Sequence, residues 1–148
     1  MLDTEAILEY VKSEERINNE RVFVLGRSLG GAVATYTVEK LAAQKDEWIK
    51  GVILENSFTS VEKIADRVFP FLKLIPNLKR RMLRLDWNSE RAIQHITVPI
   101  FIIAGSRDQL CPMNMAKELL NAATGCNEKK ALYVVPDGDH NNTFLLAG

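Results

Sequence analysis

Gly26-Arg27-Ser28-Leu29-Gly30-Gly31 decides how this chain is read. Arg21-Val22-Phe23-Val24-Leu25, just before it, is a short apolar run with β-branched and aromatic side chains, which predicts a buried strand. The residues from Ala32 to Ala43, just after it, are good helix formers without proline. The stretch is therefore Gly-x-Ser-x-Gly at a strand-to-helix turn, the setting of a nucleophile elbow. Such a turn strains the backbone of the serine and lifts its hydroxyl above the sheet. There the free N–H groups and dipole of the helix favour developing negative charge. On this reading Gly26 and Gly30 keep Cβ atoms away from the place where strand and helix nearly touch. A glycine-rich loop that only packs a helix on a strand would show the same letters, so the rest of the chain has to separate the two.

Working outward, Glu5 to Arg16 predicts a first helix with Ile7, Leu8 and Val11 on one face and Asp3 or Thr4 as its cap. Gly51-Val52-Ile53-Leu54, Pro99 to Ala104 and Ala131 to Val135 predict three more strands. Pro112 to Asn121 predicts a helix between the last two. Strands without polar alternation suit a parallel sheet covered by helices on both faces. The class is α/β with about four parallel strands. The segment 57–96 breaks the rhythm. It holds Phe69-Pro70-Phe71-Leu72-Lys73-Leu74-Ile75-Pro76 and then Lys79, Arg80, Arg81 and Arg84. It reads as an inserted cap, either a lid over an acyl pocket or a surface that meets a membrane, against the plainer alternative of a packed crossover with a solvated basic face.

The 148 residues are 47% apolar and 26% charged, the composition of one ordinary globular domain. Lys plus Arg and Asp plus Glu both number 19, so no net charge is present to hold a nucleic acid. Cys111 and Cys126 form no metal or redox motif and read as reduced thiols. No apolar run reaches the length of a membrane span, and no signal peptide is legible. No cofactor or metal is implied.

A serine hydroxyl needs a base to become a nucleophile, and the base needs an acid to orient it. The chain has two histidines. His140 follows the fourth predicted strand, at the edge of a parallel sheet where Ser28 also lies. His95 precedes the third strand, at the opposite end, and reads as structural. Asp108 follows the third strand and is the expected acid. Glu55, directly after the second strand, is its rival. Asp137 and Asp139 are too near His140 in sequence and are expected to shape its turn. The order Ser28, Asp108, His140 is that of α/β-hydrolases. The backbone N–H of Leu29 would be one oxyanion donor.

These segments resemble the bud-emergence-type α/β-hydrolases. Gly26 to Ala34 is similar to the elbow of that group, and Glu55-Asn56-Ser57-Phe58 to its Glu-Asn-Thr-Phe segment. Asp108-Gln109-Leu110-Cys111-Pro112 and Pro136-Asp137-Gly138-Asp139-His140-Asn141 are similar to its acid and histidine loops. The resemblance runs from the fifth strand of that fold to its last. It implies the C-terminal half of an α/β-hydrolase, without the first four strands, the loop that carries the second oxyanion donor, or the closing helix. It also implies a serine hydrolase of carboxylic esters or thioesters, with depalmitoylation of proteins among related activities, in the cytoplasm or at a membrane. The substrate would be a small acyl ester or an acylated protein. A serine peptidase of the same fold and a non-catalytic binding module are the alternatives. With no third strand beside it, Val22-Phe23-Val24-Leu25 would be an open edge, and fewer helices would cover one side of the sheet and leave an apolar patch; both invite self-association or a covering partner.

Overall fold

The computed structural model describes residues 2–46, 48–74 and 87–147. Helix α1 (Leu2–Ser13) leads through a single 3-10 turn, Asn19–Arg21, into strand β1 (Val22–Arg27). Asn18 caps that turn by accepting a hydrogen bond from the Glu20 N–H. Then follow α2 (Leu29–Ala43), β2 (Ile49–Glu55), α3 (Val61–Val68), a 3-10 stretch Pro70–Leu74, α4 (Ser89–Ala92), β3 (Ile100–Gly105), α5 (Met113–Ala122), β4 (Lys130–Val135) and a last turn, α6 (Thr143–Leu146). Helix α1 begins earlier than Asp3 or Thr4 as a cap would allow.

The four strands are parallel and lie side by side in chain order, β1-β2-β3-β4. This order explains a difference from the sequence reading. Crossovers between parallel strands are right-handed, so strands added in one direction throw their helices onto one face. Covering both faces needs a reversal of strand order, and the described strands contain none. Among the described residues one face is accordingly packed and the other is bare.

On the packed face Val38 and Leu41 of α2, Leu54 of β2, Ile102 of β3 and Leu119 of α5 form one buried cluster with Ile93 and Ile96. Each fully buried aliphatic side chain of this kind contributes about 1.5–3 kcal/mol. On the other face the period of two brings Leu25, Ile53 and Phe101 into one cross-strand row. Phe23, Leu25, Phe101 and Tyr133 remain exposed there. Phe23 and Phe101, with Gly51 between them and Ala131 beyond Phe101, line a shallow apolar groove.

The excursion between β2 and β3 is tied at its base. Ser60 and Asn88 form an isolated antiparallel bridge, and the Asn88 N–H donates to the Tyr36 hydroxyl of α2 at 2.8 Å. Lys63 of α3 reaches Glu90 of α4 and Glu118 of α5 at 3.1 and 2.7 Å. The Ser60 hydroxyl caps α3 by accepting from the Lys63 N–H. Short helices thus occupy part of the expected cap. Its basic residues Lys79, Arg80, Arg81 and Arg84 lie outside the described residues.

Candidate active site

Ser28 sits between β1 and α2 with φ 52° and ψ −120°, a conformation that a non-glycine residue adopts only when its surroundings impose it. Its N–H donates to the Glu55 carbonyl at 2.9 Å, which fixes the turn to the end of β2. A Cβ on Gly26 would lie 2.3 Å from the Gly30 carbonyl oxygen and 2.7 Å from the Gly31 Cα, so strand and helix do touch there. Gly30 differs from the sequence reading: a Cβ at that position would meet open space. The second close approach is at Gly31, where a Cβ would fall 2.2 Å from the Ser57 Oγ. Leu29 opens α2, so its N–H belongs to the first helical turn, which has no intrahelical acceptor.

The loops after β3 and β4 bring two further groups to the serine. The Asp108 side chain is fully buried. Its Oδ1 accepts the N–H groups of Leu110 and Cys111, each at 2.8 Å, and its Oδ2 lies 2.8 Å from His140 Nδ1. His140 Nε2 lies 3.0 Å from Ser28 Oγ, across 112 positions of sequence. A carboxylate only accepts, so Nδ1 carries the imidazole proton and Nε2 is free to accept from the serine hydroxyl. Asp139 shapes the histidine loop, its Oδ1 accepting the N–H groups of Asn141 and Asn142. Asp137, at φ 59°, pairs with Arg107 on the surface at 2.7 Å.

The other sequence candidates fall elsewhere. Glu55 is buried with its Oε1 3.9 Å from Arg27 Nε, and it turns toward that guanidinium and not toward His140. His95 is exposed and pairs with Glu39 of α2 at 3.1 Å. Cys111 is buried, and burial followed by the Asp108 charge pushes its thiol up to about 12. Asp108, Cys111 and His140 offer ligand atoms within 4.8 Å of one another. Both Asp108 oxygens already accept hydrogen bonds and the thiol holds its proton, so the set fits a hydrogen-bonded relay better than a cation.

Sequence reasoning gave no role to Asn56. It follows β2 with φ 44°, is 2% exposed, and uses both ends of its amide. Its Oδ1 accepts the Gly105 N–H at 2.9 Å, and its Nδ2 donates to Thr143 Oγ1 at 2.9 Å and to the Asp139 carbonyl at 3.1 Å. The signal was an asparagine directly after a strand, a residue that tolerates the left-handed region and can bond in both directions.

The sequence profile of the alpha/beta hydrolase domain matches residues 3–145. The chain belongs to that family. This alpha/beta hydrolase domain is 30% identical over 154 residues to the alpha/beta hydrolase domain-containing protein WAV2 of Arabidopsis thaliana, covering 99% of the chain and 49% of that protein. It is 30% identical over 148 residues to protein bem46 of Schizosaccharomyces pombe, covering 99% of the chain and 46% of that protein. The domain thus spans about half the length of the curated relatives it matches. An esterase of Pyrococcus furiosus superposes with TM-score 0.72 at 21% identity, over 97% of this chain and 54% of that one. Acetyl xylan esterase 1 of a Thermoanaerobacterium species superposes with TM-score 0.66 at 22% identity, over 95% and 46%. These likenesses establish the fold: the C-terminal half of an α/β hydrolase. A relative from Saccharomyces cerevisiae, 30% identical over 149 residues and covered over 49% of its length, is named a membrane protein. Among the described residues of this domain no helix is long and apolar enough to cross a membrane.

Proposed function

We propose that this domain carries the nucleophile, base and acid of a serine hydrolase of carboxylic esters or thioesters. The observation that carries the reading is the line Ser28 Oγ–His140 Nε2–Nδ1–Asp108 Oδ2, with bonds of 3.0 and 2.8 Å on a serine held in the left-handed region. Ser28 Oγ attacks the acyl carbonyl while His140 Nε2 takes its proton. The Leu29 N–H donates to the oxyanion. His140 then returns the proton to the departing alcohol or thiol, and the C–O or C–S bond breaks to leave an acyl-serine. Water, deprotonated by the same nitrogen, releases the acid. Asp108 keeps the proton on Nδ1 and stabilises the imidazolium.

The substrate class is a small acyl ester or an acylated protein. Val68 and Phe69 at the end of α3, and Phe71 and Leu74 in the 3-10 stretch after it, are exposed, and Arg67 of α3 donates to the Gln109 carbonyl beside Asp108. That places apolar surface next to the acid loop, suited to an acyl chain or to a membrane that holds one. The second oxyanion donor of this fold comes from a loop after an earlier strand. No described strand precedes β1, so turnover depends on what covers the bare face and open edge.

The test is labelling with a fluorophosphonate, which needs a nucleophile and its base but no acyl acceptor. The expected result is slow labelling at Ser28, lost in Ser28→Ala and in His140→Ala. Labelling at another serine, with Ser57 first in question, overturns the proposal, as does a folded chain that does not label. An ester, thioester and peptide panel then separates esterase from peptidase.

A further inference from the structure

Two side chains outside the serine–histidine–aspartate line meet on the backbone carbonyl of His140. Arg27 Nη2 donates to it from the end of β1 and donates also to Asn141 Oδ1 at 3.2 Å. Asn56 Nδ2 donates to the same carbonyl at 3.4 Å from the end of β2. Arg27 is the residue before the nucleophile, so its grip ties the serine's strand to the histidine's loop. Asn56 ties the histidine's loop to the acid's strand, since its Oδ1 holds the Gly105 N–H three residues before Asp108. Its own N–H donates to the Ile103 carbonyl at 2.9 Å, which anchors it to β3 a second time.

The loop after β4 needs such a grip. It leaves the sheet at Val135, and the His140 side chain, 18% exposed, stands at the surface end of the serine–histidine–aspartate line. Its internal turn, built on Asp139, sets its shape but not its distance from β1. That distance is set by contacts that cross to β1, and the Arg27 bonds are of this kind. Asn56 fits its own role through chemistry as well as shape. It must accept on one side and donate on the other. An aspartate of the same outline would turn a carboxylate oxygen onto the carbonyls of Asp139 and His140.

We infer that Arg27 and Asn56 are positioning residues: a two-point clamp on the His140 carbonyl that sets the reach of Nε2 to Ser28. The inference rests on the hydrolase reading for its catalytic meaning. The clamp moves no proton and touches no substrate. It acts through where the imidazole stands, and a misplacement of about 1 Å costs about 10²-fold in rate.

The experiment uses the full chain and three variants, Asn56→Asp, Arg27→Met and Arg27→Lys. Two readouts are taken beside the melting temperature. One is the low-field proton resonance of His140 Nδ1–H, bonded to buried Asp108. The other is the rate of fluorophosphonate labelling. Asn56→Asp and Arg27→Met are expected to broaden or erase the resonance and to slow labelling about tenfold to a hundredfold in a chain that still melts cooperatively. Arg27→Lys, which keeps one charged donor, is expected to recover part of both. If Asn56→Asp does not fold, Arg27→Met decides alone, because that side chain is partly exposed and outside the core. Variants that keep both the resonance and the labelling rate overturn the clamp, and so does a loss of either that merely follows the loss of folded chain. If the unsubstituted chain shows the resonance but does not label, the hydrolase reading fails, while the resonance still tests the clamp.

Discussion

Gly31 and Ser57 stand against each other at the root of the elbow: a Cβ on Gly31 would lie 2.2 Å from the Ser57 Oγ and 2.6 Å from its Cβ. Ser57 is buried and its hydroxyl in turn reaches the Ser28 carbonyl at 3.4 Å. The helix therefore rests on the chain after β2 through a contact that only a hydrogen atom fits.

Gly31→Ala should destabilise the fold by roughly 1–3 kcal/mol, the usual cost of forcing a methyl into a packed place. Gly30→Ala should do the reverse. It has open space, an ordinary helical backbone, and up to about 1 kcal/mol to gain in helix propensity. Chemical denaturation of the two variants side by side measures this. Equal effects would mean that the approach at Gly31 is relieved by a small shift of Ser57.

Asp108→Asn should cost roughly 10⁴-fold in turnover, because an amide lets the imidazole take the wrong tautomer. Glu55→Gln should cost far less, since Glu55 faces Arg27 and makes no bond to His140. Labelling rates of the two variants compare them directly. The opposite order would move the acid to the end of β2.

Ser28→Ala should remove about 10⁶-fold of turnover while leaving the melting temperature nearly unchanged. The substitution removes only the hydroxyl and keeps the Cβ of the strained turn, so a marked loss of stability would be unexpected and would point to a structural use of the hydroxyl.

The cysteines give a prediction that needs no substrate. Both are buried and unpaired. Cys111, with its thiol pushed up to about 12, is protonated at neutral pH, and the thiol form is a poor nucleophile. Raising the pH to 9 should therefore not speed its alkylation by iodoacetamide while the chain stays folded, whereas denaturant should make it react at once. Alkylation of Cys111 in the native chain that accelerates between pH 7 and 9 would show an accessible, ordinary thiol.

Among the described residues Phe23, Leu25, Phe101 and Tyr133 share one open sheet face and β1 is the edge strand, a combination of apolar surface and edge that invites association. The chain alone should scatter light as more than a monomer. Leu25→Lys, which places a charge on that face and edge, should shift it toward a monomer with an unchanged circular dichroism spectrum. Ester turnover should be low, since a lost oxyanion donor costs about 10²–10³-fold. A monodisperse monomer with Ser28-dependent hydrolysis of an activated ester would overturn this expectation.

The parallel strands and the elbow were legible because apolar runs and glycine spacing are local signals: Val22–Arg27 starts one residue later and ends two later than expected, and Lys130–Val135 starts one residue earlier. The approach of Asp108 and His140 to Ser28 followed from one rule, that parallel strands end at one edge. A thinly covered face was expected from the fewer helices that the resemblance implies, but which strands share it depends on strand order, which hydrophobicity does not encode. Two features were not legible. The steric need at Gly31 and not at Gly30 depends on where Ser57 lies, far along the chain. The bonds of the Asn56 side chain run to four partners, one in β3, two in the loop after β4 and one in α6, none of them near it in sequence.

The bridge between Ser60 and Asn88 has a consequence for how this domain can change. The excursion begins and ends at one paired point and α3 is held to the body, so the length of chain beyond α3 is free of the strand register on either side. Closing a longer loop there is cheap, since each doubling adds only about 0.6 kcal/mol. Natural variation and engineering can therefore exchange the stretch from 69 to 86 as a cassette, while Val61, Ile64 and Trp87 stay packed against Ala32 and Cys111. New acyl preferences, or a different surface to dock on, could be grafted at that bridge while Ser28, Asp108 and His140 keep their places.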